Sequence, residues 1–266
     1  MNGIVINIDP VLLHIGNFEL RWYSLAILAA AVTGVFLWSR RGKAKGIDPG
    51  EIFTMSAWAI FAGLVGARLF HVLDKFDFYM ANPSLILQLQ QGGLAIFGAL
   101  VGGGLAAVIY ARVSHIPLGK MVDAAAPALL AALMVGRIAC IINGDAYGGA
   151  TGLPWGFIYT HPDAAIPASL AGIPTHPYPV YEVLWNGLGL LLALRLERYL
   201  RVDGLLLLGV LSYYSLGRFL LTFVRQENII LWGLQQAQLV ALATLVISAA
   251  VFIYLWRAGK MREAGA

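Results

Sequence analysis

Charge is what this sequence lacks most: 12% of its 266 residues are Asp, Glu, Lys or Arg, while 59% are hydrophobic. An ordinary soluble domain carries about 25% charged residues, so a water-soluble fold is excluded. Cysteine is nearly absent as well, and the single Cys140 rules out an internal disulfide and a multi-cysteine metal site. The five histidines form no ligand-spaced pair, so neither a metal nor another cofactor is expected. Also missing are a low-complexity linker and an internal repeat of the kind that marks many transporters. One membrane domain over residues 1–266 is the simplest organisation. Residues 1–21 lack the basic stretch, apolar run and cleavage site of a signal peptide, so the first span is expected to stay.

Long apolar runs are what the chain does have. A hydrocarbon core of ~30 Å takes about 20 residues of helix. Seven such stretches run approximately over 20–39, 52–73, 92–112, 121–142, 180–197, 204–224 and 232–256. Backbone amides in lipid must be bonded within the protein, and these runs are far longer than the ~10-residue alternating strands of a membrane barrel. The predicted fold is all-α, a polytopic membrane protein of about seven transmembrane helices.

Arg40, Arg41, Lys43 and Lys45 follow the first span, Arg112 and Lys120 the third, Arg195, Arg198 and Arg201 the fifth, and Arg257, Lys260 and Arg262 the seventh. Those twelve face only Arg21, Lys75 and Arg225 on the opposite side. Basic flanks are retained in the cytoplasm, which places the N-terminus outside and the C-terminus inside. The pI of about 9.2 thus reflects topology rather than a continuous patch for nucleic acid, and no nucleic-acid partner is expected.

The longest connection, 143–179, falls on the outer side and carries Pro154, Pro162, Pro167, Pro174, Pro177 and Pro179. These prolines forbid a long helix, and a segment of this length in a compact protein is more often functional than incidental. Gly98 and Gly102 have the four-residue spacing of close helix packing in lipid, while Gly92 and Gly93 would let backbone approach a ligand.

Ionisable groups inside a bilayer cost ~2.5–3.5 kcal/mol each on insertion scales, so Arg68, Arg137 and Arg218 call for partners or a ligand. All three lie toward the outer ends of their spans, near Arg225, Asp145 and Glu182. Arg218 and Arg225 are seven residues apart and share one face if their helix continues that far. Guanidinium offers a fixed fork of donors that matches phosphate oxygens, which points to a phospholipid headgroup site opening to the outer leaflet. The alternative is that each arginine snorkels to the interface or pairs with Asp145, Glu182 or Glu227. Polar groups are densest between Gly136 and Gly149. There Asn143-Gly144 reads as a helix C-cap, with Asp145 and Tyr147 pointing back toward Arg137. Cys140 reads as a small buried apolar residue rather than a nucleophile.

At this cluster, and in order along nearly the whole chain, the sequence resembles the phosphatidylglycerol:prolipoprotein diacylglyceryl transferases, bacterial enzymes that lipidate the cysteine of a lipoprotein precursor. The resemblance rests on Leu20-Arg21-Trp22-Tyr23, Gly66-Ala67-Arg68, Gly92-Gly93-Leu94-Ala95-Ile96, Asp123 with Pro127, the Gly136 to Gly148 segment, His176-Pro177, Tyr181-Glu182, Gly217-Arg218 and Arg225-Gln226. It implies that Arg137 and Arg218 hold the phosphate of phosphatidylglycerol, with Arg225 and Arg68 in support, and that Asp145 joins them in catalysis. Asn143, Gly144, Gly148 and Glu182 would shape the substrate site and Tyr23 would form a polar wall. It also implies a bacterial inner-membrane location. The chain departs from the family pattern at Phe97, where many members carry histidine, and at Cys140, where asparagine is common. Thr222 stands at an acidic position, and Asp145 replaces a glutamate.

The implied reaction is displacement at glycerol C3 of phosphatidylglycerol by a peptide thiol, releasing glycerol 1-phosphate. It needs a thiolate and a stabilised leaving phosphate. Asp145, His176 and His71 are the candidates for the first need on the outer side. Rival readings are a lipid-headgroup transferase with a different acceptor, a transporter or channel for an anionic solute, and a scaffold, which leaves the arginines unexplained. Glycerol phosphate release from phosphatidylglycerol separates the enzymes from the rest.

Overall fold

The computed structural model describes residues 3–16, 18–88, 92–200, 202–225 and 229–264. Arg201 and Glu227, to which the sequence assigned a topology and a pairing role, and Gln226 of the Arg225-Gln226 resemblance lie outside the described residues. Each of the seven apolar runs coincides with a helix. These are α1 (Trp22–Ala44), α2 (Pro49–Asp74), α4 (Ile96–Val113), α5 (Leu118–Asn143), α6 (Tyr178–Leu196), α7 (Leu205–Leu221) and α8 (Gln236–Ala264), and a short α3 (Phe76–Ala81) follows α2. Among the described residues six helices are long and apolar enough to cross a membrane. The exception is α6, diluted by Glu182, Asn186 and Arg195. Glu182 and Asn186 are 3% and 2% exposed, so this helix turns these two polar groups into protein rather than toward lipid.

The chain forms two compact units, Met1–Leu37 with Ala125–Ala266, and Trp38–Ala124. In the second, α2 and α4 cross on bare glycine: a Cβ on Gly66 would strike the carbonyl of Gly98, and one on Gly102 the carbonyl of Ala62. The Gly98–Gly102 spacing therefore serves backbone-to-backbone packing. At the other end of this pair Ile52, Met55, Ala111 and Met121 form a closed apolar cluster, flanked by a hydrogen bond from Trp38 Nε1 to the Met121 carbonyl at 3.0 Å.

In the first unit, α6 and α7 pack through Gly189 against the Tyr213 ring and Gly217 against the Trp185 indole. Trp185 and Tyr213 stack at 4.7 Å, and each donates a hydrogen bond to the other's carbonyl, at 3.2 and 2.9 Å. Ser212 and Ser248 join α7 to α8 at 2.9 Å. Three short strand pairs supplement the helices. Parallel β1 (Ile4–Ile6) and β4 (Phe157–Tyr159) set Ile4 opposite Phe157, and two hairpins pair β2 (Val11–Ile15) with β3 (Phe18–Arg21) and β5 (Ile229–Leu231) with β6 (Leu234–Gln235). The β1–β4 ladder brings the N-terminal strand and the 143–179 connection to the same end of the helices.

Candidate functional site

α5 ends where its sequence says it should. Asn143 is the last helical residue and Gly144 follows at φ +77°, donating to the Cys140 carbonyl at 2.9 Å. A Cβ at Gly144 would press on the Tyr159 ring at 3.2 Å, so glycine is required there for space as well as conformation. The chain then runs on to Gly148, which donates to the His176 carbonyl at 3.0 Å and bridges Arg225 as an isolated antiparallel pair. A Cβ on Gly148 would meet His176 Cβ at 2.6 Å and the Val224 carbonyl at 2.8 Å. Gly148 is therefore where the segments after α5, before α6 and after α7 are drawn together.

These connections converge on Glu182. Its Oε1 accepts from Arg218 Nη1 at 3.0 Å, and its Oε2 forms an ion pair with Arg137 Nε. One buried carboxylate thus holds guanidinium groups from α5 and α7, each with a side chain 19% exposed. Arg218 Nη1 also donates to Tyr178 Oη at 2.7 Å. The Tyr178 ring, fully buried, lies under the guanidinium groups of both Arg218, at 5.8 Å, and Arg225, at 5.3 Å. Two positive charges against one carboxylate leave the centre electropositive.

Arg218 and Arg225 meet here by a different route from the one their spacing suggests. α7 stops at Leu221, a 3-10 turn spans Thr222–Val224, and Arg225 is extended at φ −90°, ψ 144°. Thr222 Oγ1 bonds back to the Arg218 carbonyl at 2.5 Å, while Gln235 Nε2 takes the carbonyls of Thr222 and Arg225 at 3.2 and 2.9 Å. A shared helical face is therefore replaced by a shared aromatic ring.

Asp145 sits beside Cys140, and its charge reaches the hydroxyls of Tyr23 and Tyr159. Its Oδ1 is enclosed without a hydrogen-bond donor among the described residues. Burial, and then the Asp145 charge, push the Tyr159 phenol above its ordinary pKa, so it stays protonated and donates to the Ile141 carbonyl at 3.0 Å. Cys140 is 5% exposed, packs with Ala146 and Tyr178, and receives a long contact from Arg137 Nη1 at 3.6 Å, which fits a small buried side chain. His176 Nδ1 lies 3.3 Å from Tyr181 Oη, which in turn accepts from Trp155 Nε1 at 3.1 Å. Asp9, His161 and Asp163 also gather with ligand atoms within 4.8 Å, a cluster hidden in sequence because Asp9 is so distant; both carboxylates are solvated.

Arg68 belongs to the second unit, where backbone carbonyls surround its guanidinium. It is 7% exposed and spends all five N–H donors on carbonyls: Nε on Ile86, Nη1 on Gly92 and Gly93, Nη2 on Leu85 and Gln88. Its guanidinium also lies 5.1 Å over the Tyr79 ring. Arg68 is a clamp on the segment leading into α4. Gly92 and Gly93, at φ +82° and +75°, let that backbone turn toward it, and His71 lines the same cavity of about 370 Å³. Phe97 occupies the first turn of α4, 46% exposed.

Fold and site together define a polytopic membrane protein with a buried, guanidinium-rich centre built around one carboxylate. Comparison with known proteins makes the assignment specific. The prolipoprotein diacylglyceryl transferase family pattern matches residues 10–254, and the chain belongs to that family. A phosphatidylglycerol–prolipoprotein diacylglyceryl transferase of Dehalococcoides mccartyi is 35% identical over 261 residues, covering 97% of this chain and 98% of its own. Proteins of the same name from Thermosynechococcus vestitus and Lysinibacillus sphaericus are 34% identical over 251 residues (93% of each chain) and 30% over 258 (96% and 94%).

Proposed function

We propose that this chain transfers a diacylglyceryl group from phosphatidylglycerol to a prolipoprotein, as its family and relatives do, with Arg137 and Arg218 as the groups that hold the phosphate. The observation that carries the site assignment is the single buried Glu182 gripping both arginines, which fixes two guanidinium forks side by side before any lipid arrives. Pre-positioned donors of this kind stabilise charge that develops in a transition state without reorganising at the moment of reaction.

The acceptor is the thiol of a lipobox cysteine. Its sulfur, as thiolate, attacks glycerol C3 of the diacylglyceryl moiety. The C3–S bond forms as the C3–O bond breaks, and the electron pair stays on the departing oxygen, giving glycerol 1-phosphate. The phosphorus group thus gains negative charge as the thiolate loses it, and Arg137, Arg218 and Arg225 are the groups placed to receive that gain. Asp145, with its enclosed and unfilled Oδ1, is the acceptor for the thiol proton, while Tyr23 and the turn at Asn143, Gly144 and Gly148 shape the cavity around it. The chain works as one multi-pass domain of a bacterial cytoplasmic membrane, with seven crossings, the N-terminus outside and the site open to the outer leaflet. The basic flanks support this orientation.

The test incubates purified protein with phosphatidylglycerol and a lipobox-type peptide, with and without its cysteine, and follows glycerol phosphate and peptide mass. Diacylglyceryl gain on the cysteine peptide alone supports the proposal. Glycerol phosphate release with no peptide modification assigns another acceptor, and no turnover refutes the reaction.

A further inference from the structure

The β5–β6 hairpin breaks a rule of turn chemistry. Leu231 pairs with Leu234 across a two-residue loop, Trp232-Gly233, and both loop residues have positive φ, +51° and +76°. Such loops favour Asn, Asp or Gly at the first position, because a bulky side chain is strained there. Here the position holds tryptophan, 86% exposed, and it follows Ile229, Ile230 and Leu231 at 69%, 58% and 46% exposure. Four consecutive large apolar side chains outside any helix thus face away from the protein. Local folding preference does not account for them.

Connectivity does. The hairpin joins α7 to α8, both long and apolar enough to span a membrane, and β6 runs directly into α8. At a strand rise of about 3.3 Å per residue, Trp232 lies no more than ~13 Å from the first turn of α8. That holds the tip close to the bilayer's polar layer, the depth at which tryptophan is enriched in membrane proteins. The hairpin base is also latched to the site. Gln235 Nε2 holds the Arg225 and Thr222 carbonyls, and Gln235 N donates to Gln238 Oε1 at 3.0 Å within a buried pair of amides.

We propose that Ile229–Leu234 is a lipid-inserting finger: Ile230 and Trp232 enter the interfacial layer of the leaflet beside Arg225, and the Gln235 latch ties that anchorage to the extended backbone at Arg225. The partner is the phospholipid surface itself. The finger holds the mouth of the arginine site at headgroup depth, so its contribution appears when the lipid is presented in a bilayer. This role in substrate capture rests on the transferase reading above; the insertion itself does not.

The full chain is reconstituted in phosphatidylglycerol vesicles containing phospholipids with brominated acyl chains, and Trp232→Asn is compared with the wild type. Asparagine suits the positive φ better than tryptophan, so the hairpin is kept while the lipid-seeking ring is removed. The difference emission, which isolates Trp232 from the other six tryptophans, is expected to be quenched by bromines near the chain tops and untouched by aqueous iodide. KM for vesicle phosphatidylglycerol is expected to rise severalfold in Trp232→Asn, with kcat unchanged and no effect on phosphatidylglycerol in detergent micelles. Iodide quenching without bromine quenching overturns the proposal, as does a variant that equals or exceeds the wild type on vesicles. Quenching is read without turnover, so absence of transferase activity in both proteins would refute the enzymatic reading and leave insertion to be decided by fluorescence.

Discussion

Replacing Glu182 by glutamine tests the centre of the site with little change of shape. The carboxylate is 3% exposed and touches Arg137 and Arg218 at once, so the variant leaves two guanidinium groups without their shared counter-charge and turns an amide N–H toward one of them. Removing one partner from a buried ion pair costs about 3–5 kcal/mol, because the remaining charge is uncompensated. Both arginine side chains keep 19% exposure to solvent, which favours the lower end, ~3 kcal/mol. In a chain of this size each kcal/mol shifts Tm by about 2–4 °C, so the midpoint should fall by ~6–12 °C. The sequence supplies the probe: Cys140 is the only thiol, 5% exposed, and packs in the same cluster as Tyr178. Heating in detergent with a thiol-reactive fluorophore therefore reports opening of the site itself. Added phosphatidylglycerol should recover part of the loss, because a bound phosphate supplies the missing negative charge and ligand binding raises stability by mass action. A Glu182→Gln protein that labels at the wild-type temperature would falsify the view that this carboxylate organises the two arginines.

Arg137→Ala and Arg218→Ala should each lower glycerol phosphate release at least ~10-fold, since a lost charge-assisted hydrogen bond is worth about 1.5–3 kcal/mol, and lysine should restore neither fully because it lacks the planar fork. Normal turnover by Arg218→Ala at normal expression would return that residue to snorkelling. Reporter fusions after Lys45 and Arg262 should read cytoplasmic and one after Tyr159 external; an internal Tyr159 reporter would invert the site. With Phe97 in the first turn of α4, the wild-type rate should climb with pH toward the thiol pKa of about 8.5. Phe97→His should raise it near pH 7, and a flat profile in both would place thiol deprotonation outside the slow step. Arg68→Lys offers three donors where five are used, so amide exchange at Leu85–Gln88 should quicken.

Helices were the most legible part of the sequence, because an apolar run of spanning length in a charge-poor chain fits little besides a membrane helix: the run at 121–142 is α5 at 118–143, and that at 180–197 is α6 at 178–196. Local stop signals were legible too, as Asn143-Gly144 shows, because a helix end depends on residues adjacent in sequence. Glu182 was visible as a possible partner for the arginines, but its simultaneous grip on Arg137 and Arg218 is a three-helix coincidence that no spacing records. Arg218 and Arg225 were expected on one helical face if the helix continued that far, and the periodicity could not reveal that α7 stops at Leu221 and that Gln235, beyond the turn, holds the Thr222 and Arg225 carbonyls. The surroundings of Arg68 were hidden for another reason. A guanidinium satisfied by five backbone carbonyls leaves no acidic partner in the sequence to find, so it looks like a charge awaiting a ligand.

The parallel pairing of β1 with β4 has a consequence for biosynthesis. Ile4 leaves the ribosome long before its partner Phe157, which lies far along the same chain. Loop closure over that distance is slow, and neither strand can complete its hydrogen bonds alone. Strand β1 therefore settles late, and closing this ladder would finish this end of the helices after α1 to α5 have been made. An affinity tag or fusion joined just before Gly3 would bear on that final step, since even a Cβ at Gly3 would press on the Ile158 side chain at 2.8 Å.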